Sequence, residues 1–230
     1  MLMVKRYLGL IGAVMILCSA SISLVAAETK EELTGYLGPE IYAKLSDVEV
    51  RKGIKVRRWV GPKLNFANFK SVLVDDVIFH PEPEPGPQVS AETLDAVRAS
   101  LTGKLRDKIG TVLNLSSAPG PEVLRLQVAI TGVEIKTEGM KVYEVLPIAA
   151  VFGGLKALTG TREREVQVFL EFKVSDSETG EVIGAAVRRV TGENLENARQ
   201  QLKLDHIVED LEAVAVETQN VLSEMLAEPR

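Results

Sequence analysis

Two runs of strict alternation constrain this chain more than any other feature. Leu124, Leu126, Val128 and Ile130 interleave with Arg125, Gln127, Ala129 and Thr131; Val166, Val168, Leu170, Phe172 and Val174 interleave with Glu165, Gln167, Glu171 and Lys173. Successive side chains of a strand leave on opposite sides, so the period of two predicts strands over Val123–Ile135 and Arg164–Val174, each with one buried face. Asp176-Ser177-Glu178-Thr179-Gly180 reads as a hairpin turn, with Gly180 able to take a positive φ, and Val182–Val190 as the returning strand.

The spacing then changes. Ser90 is an N-cap residue, and Leu94, Val97, Leu101, Leu105 and Ile109 follow at threes and fours. Lys104, Arg106 and Lys108 sit where a helix dipole favours cations, and Gly110 marks the stop. A second helix is expected from Asp205 to Ala227, with Ile207, Leu211, Val214, Val221, Leu222 and Met225 on one side. Val72–Phe79 reads as a strand with a bulge at Asp75-Asp76, and Thr111–Leu115 as a short one. Between them, Pro81, Pro83, Pro85 and Pro87 forbid regular pairing, so residues 80–87 form an exposed loop. The expectation is one α/β (α+β) domain over residues 57–230: a mixed, mostly antiparallel sheet of about five strands with helices packed on one face. Residues 28–56 read as a peripheral lead-in, with a short helix at Glu40–Leu45 and an extended stretch at Val48–Val56.

The first 27 residues follow another logic. Lys5 and Arg6 precede the apolar block Leu8–Leu17, then Val25-Ala26-Ala27, then the charged stretch Glu28–Glu32. That is the order of a secretory signal peptide cleaved after Ala27, and it predicts a periplasmic protein. The alternative is an outer-membrane lipoprotein anchored at Cys18, although Leu17 stands where such signals carry a small residue. Cleavage after Ala27 removes two cations, no acid and the single cysteine, so the mature domain is more acidic than the chain's net −5. An acidic domain argues against nonspecific nucleic-acid binding. Loss of Cys18 excludes disulfides and thiolate chemistry.

Little else in the sequence promises chemistry. There is no G-x-S-x-G elbow, no dinucleotide fingerprint and no P-loop. His80 stands before a proline near Glu82 and Glu84, but alternating prolines splay these side chains; His206 reads as a surface residue. No catalytic residue, metal ligand or cofactor site is assigned. Trp59, in Arg58-Trp59-Val60-Gly61-Pro62, is read as a lid over the core edge.

The apolar insert at residues 142–160 stands apart. Val145–Leu155 gives eleven apolar residues, against about 20 for a membrane-spanning helix. The spacing predicts a short helix from Pro147 to Gly160, with Ile148, Val151, Phe152, Leu155 and Leu158 on one stripe and Ala149, Gly153 and Ala157 on another. Small residues at i, i+4 and i+8 let a second backbone approach closely. Ile148, Ala149, Phe152, Gly153 and Ala157 are therefore candidates for contact with an envelope protein or with a second copy, and residues 145–158 for peripheral membrane contact. Packing of both stripes on the domain's own sheet, or a break at Gly153-Gly154, are the competing readings.

Three segments carry a resemblance: RWVGPKLNFANFKSVLVDDVIFHP, APGPEVLRLQVAITGVE and FKVSDSETGEVIGAAVRRV. Their motifs and order, from Arg57 to Val190, are similar to the domain-of-unknown-function 3313 family of bacterial envelope proteins. The resemblance implies a Gram-negative envelope location, often with a lipid anchor, and no known activity. More loosely, the layout is similar to the periplasmic domain of curli secretion lipoproteins, which assemble into rings. From the sequence, the function is a non-enzymatic binding or assembly module. The alternative is a small-ligand binder or hydrolase with a cleft near His80 and Trp59.

Overall fold

A computed structural model describes residues 35–51, 54–62, 66–85, 89–137, 145–147, 164–191 and 203–227. Its spine is the long strand β6 (Val123–Thr137), antiparallel to β8 (Arg164–Asp176) through thirteen residue pairs from Leu124–Asp176 to Thr137–Arg164. The register shifts once, between Ile130 and Gly132. β8 pairs with β9 (Val182–Thr191) across the expected hairpin, where Gly180 has φ +74°. Asp176 closes that turn by accepting the N–H groups of Glu178 and Thr179, each at 2.9 Å. Those N–H groups, Thr179 first, hold the Asp176 carboxyl below its ordinary range.

The other side of β6 is filled in pieces. β3 (Ser71–Val74) and β4 (Ile78–Phe79) run parallel to it, and β7 (Val145–Pro147) antiparallel at Gly132–Glu134. Residues 72–79 thus make two short strands rather than one. The break carries Asp75 and Asp76 to different arginines, Arg125 and Arg106. β5 (Asn114–Leu115) adds a short edge beside β3, shorter than the expected Thr111–Leu115.

At the opposite edge, β1 (Ser46–Arg51) and β2 (Ile54–Val60) form a hairpin, and β2 pairs with β9 from Val56–Arg188 to Val60–Gly184. Much of the expected lead-in is therefore sheet. With nine strands among the described residues, the expected count of about five was low. Short pieces such as β4, β5 and β7 have no length over which a period can show.

Two long helices cover one face. α2 (Ala91–Ile109) is capped by Ser90, whose hydroxyl accepts the Thr93 N–H at 3.1 Å. Leu94, Val97, Leu101, Leu105 and Ile109 are all buried. Gly110 ends the helix with φ −60°, so the stop does not use left-handed backbone. α3 (Val208–Ala227) follows a 3-10 turn at Leu204–His206, starting slightly later than expected. Glu212 of α3 meets Lys104 at 2.7 Å and Lys108 at 2.6 Å on α2. The main core lies between these helices and the inner-face residues of β3, β6 and β8, among them Val72, Leu124, Leu126, Val128, Leu170 and Phe172. A third, four-residue helix, α1 (Pro39–Tyr42), lies on the other face. No described helix is long and apolar enough to cross a membrane.

Of the apolar insert, only Val145–Pro147 is described. Pro147 is paired with Gly132 as a strand residue, not placed as the first residue of a helix. Ile148, Ala149, Phe152, Gly153 and Ala157 lie outside the described residues.

Candidate functional site

Alternation gives the sheet two faces with different chemistry. On the outer face, segment 35–45 lies over β8 and β9. Glu171 is only 5% exposed, and one of its oxygens, Oε2, accepts the Leu37 N–H at 3.0 Å and the Tyr42 hydroxyl at 2.5 Å. A Cβ on Gly35 would overlap both the Tyr42 hydroxyl and the Glu171 carboxylate, so any larger residue there must displace this hydrogen-bonded pair. Burial, then the hydrogen bond to Glu171, pushes the Tyr42 phenol up. Burial, then the charge of Asp75, does the same to Tyr36. Lys173 Nζ stands 4.3 Å from the Tyr36 ring centroid; burial, then the Arg125 charge, pulls its ammonium down. Arg125 is itself held by Asp75 at 2.8 Å.

This cluster gathers charge but gives it structural work. The donors of Leu37 and Tyr42 satisfy Glu171 Oε2, and Asp75 is paired with Arg125. His80 reaches the cluster only edge-on, its ring 5.8 Å from that of Tyr36. Trp59 packs with Leu37, Leu45 and Ala185 in a small outer-face cluster, with Lys44 Nζ 4.7 Å from its ring centroid. That is a packing role, near the lid expected for it. Among the described residues, no group of three or more His, Cys, Asp or Glu is placed to hold a metal ion.

The inner face holds an apolar cavity of about 130 Å³ between β2, β9 and the C-terminal half of α3. Val56, Val60, Gly184 and Ala186 form its floor, and Val221, Leu222 and Met225 its roof. Trp59 and Ala185 also border it, through the main chain, because their side chains belong to the outer-face cluster. His80 is not among its walls, so the structure does not join His80 and Trp59 in this cleft. At its edge Arg188 and Glu217 form an ion pair at 2.8 Å, their side chains only 11% and 14% exposed. Sequence reasoning missed Glu171, Tyr42, Arg188 and Glu217. One signal existed: Glu217 stands between Val214 and Val221 on the apolar stripe of its helix, where a charge asks for a buried partner.

With this geometry in hand, comparison with known proteins places the chain. An uncharacterised lipoprotein of Escherichia coli K12, YdcL, is 27% identical over 187 residues, 81% of this chain and 83% of the relative. Among solved structures, the PelC dodecamer of Paraburkholderia phytofirmans aligns with 76% of this chain and 98% of its own, at 19% identity and a TM-score of 0.36. A minor lipoprotein of Acinetobacter baumannii aligns with 70% and 98%, at 12% identity and 0.33. Neither structural likeness carries a functional argument. The model of the DUF3313 family, proteins of unknown function, matches residues 32–218, beyond both ends of the Arg57–Val190 resemblance, and the chain belongs to that family.

Proposed function

We propose that the chain is a cell-envelope protein acting as a binding module without catalysis. The observation that carries this reading is the inner-face cavity, an apolar space whose charged pair at the edge is already matched. Such a site favours binding over bond making, because among its described walls the Thr218 hydroxyl donates to Val214 O and the Glu217 carboxylate is paired with Arg188, so neither stands as a nucleophile activated by a base. The outer-face cluster supports the same reading, since its charges hold the 35–45 segment in place. The N-terminal pattern and the lipoprotein description of the E. coli relative both support export to the envelope.

Fractionation of the native cell, with activity screens on the purified protein, tests this. The protein is expected in the envelope fraction and without turnover of ester or peptidoglycan substrates. Turnover that disappears in His80→Ala establishes the hydrolase reading instead. The intact mass of the exported form decides its start. Glu28 is expected; an acylated Cys18 establishes the anchor and aligns the chain with its relative.

A further inference from the structure

The geometry points to a ligand class for the inner-face cavity: a small soluble monoanion with a hydrocarbon tail, such as a medium-chain carboxylate. This rests on the reading of the chain as a binding module. The first argument is volume. β9 places Gly184 and Ala186 opposite Val174 and Phe172 of β8, so the sheet gives up side-chain volume along a row that faces α3. Val221, Leu222 and Met225 stand over that row and remain partly exposed. A native core seldom leaves such a wall unfilled.

The second argument is size. At about 130 Å³ the space is comparable to the engineered cavity of about 150 Å³ that admits benzene. It suits the end of one hydrocarbon chain and is too small for the paired tails of a bilayer lipid. The third is charge. Arg58, Arg188 and Glu217 are the charged residues among the described walls, leaving one net positive charge. Arg58 pairs in register with Ala186, so a carboxylate meeting Arg58 leaves its tail over the small residues of the floor. That is the complementarity of a single anionic head next to an apolar slot.

Calorimetric titration of the protein isolated from its native envelope, with butanoate, octanoate and octanol, tests the inference. Octanoate is expected to bind one to one, with butanoate weaker by about tenfold or more because fewer methylenes are buried. Arg58→Gln is expected to weaken octanoate by about tenfold and to leave octanol unchanged. Ala186→Leu fills the slot and is expected to remove both. Should that variant not fold, Gly184→Ala replaces it: its new Cβ finds Trp59 O at 3.6 Å and Val174 Cβ at 3.8 Å, ordinary contacts, and octanoate should again weaken. The inference is overturned by no octanoate binding, by equal affinity for octanoate and octanol, by an Arg58→Gln variant of unchanged affinity, or by binding that survives the filled slot. Binding to phosphatidylglycerol vesicles without octanoate binding also overturns it, in favour of a membrane surface. Loss of octanoate binding with an envelope partner still captured removes this inference alone; substrate turnover removes the binding-module reading beneath it.

Discussion

Tyr42 donates its hydroxyl to Glu171 across 129 positions of sequence, at 2.5 Å, and so fastens the N-terminal segment to the outer face of the sheet. Tyr42→Phe leaves a buried carboxylate with the Leu37 N–H but one donor fewer. A loss of about 1–3 kcal/mol is expected. Thermal unfolding measures the loss, and hydrogen exchange should show it first at residues 35–45. Unchanged exchange there would mean that the segment is held by packing alone.

The two long helices carry a pH dependence of known sign. The two lysine ammonium groups, Lys104 and then Lys108, hold the Glu212 carboxyl down to about 2. A carboxyl lowered on folding stabilises the native state above its unfolded value, about 4.3, and that contribution is lost as pH falls towards 2. Melting temperature followed from pH 6 to pH 2 should therefore drop less steeply in Glu212→Gln than in the parent protein. Parallel curves would show the pair to be screened by solvent.

Gly180 has φ +74° in the β8–β9 turn. Gly180→Val places a β-branched side chain in left-handed backbone and is expected to cost about 1 kcal/mol or more. Chemical denaturation measures it. A change within error would show that the turn relaxes to ordinary extended backbone.

Gly184 offers the opposite outcome. Its φ is not left-handed, and an added Cβ meets nothing closer than 3.6 Å. Gly184→Ala is expected to stabilise by about 0.5–1 kcal/mol through a stiffer unfolded chain and a better-filled cavity. A lower melting temperature would show that α3 sits closer to the floor than the cavity implies.

Self-association through the apolar insert remains our proposal for Ile148, Ala149, Phe152, Gly153 and Ala157. Phe152→Glu combined with Gly153→Glu should abolish association in analytical ultracentrifugation while the melting temperature stays nearly unchanged. Failure of the double variant to fold assigns the segment to the core.

The sequence was most legible where a period had room to repeat. Leu124 to Ile130 and Val166 to Val174 announced β6 and β8, and the five apolar residues from Leu94 to Ile109 announced α2 together with its Ser90 cap. It was least legible where tertiary contact decides. Val48 and Val56 pair as neighbours in a hairpin, yet nothing local says that β2 will find β9, 130 residues on. The outer face of β8 looked solvated because Glu171 and Lys173 are charged. It is partly covered, since Leu37 and Tyr42 bring the donors that make a buried carboxylate affordable. Pro147 followed helix statistics in sequence and sheet pairing in structure, because Val145 and Leu146 before it find ladder partners on the open side of β6, whereas a short local helix is marginal without tertiary support.

The pairing of β2 with β9 sets a timetable. A growing chain completes the β1–β2 hairpin by Val60, but the strand that joins this hairpin to the rest of the sheet arrives only with Gly184 to Arg188. α2 waits longer still, because Lys104 and Lys108 meet Glu212 of α3 only across about 100 positions of sequence. Contacts this distant in sequence close late and leave the early hairpin apart from the sheet meanwhile.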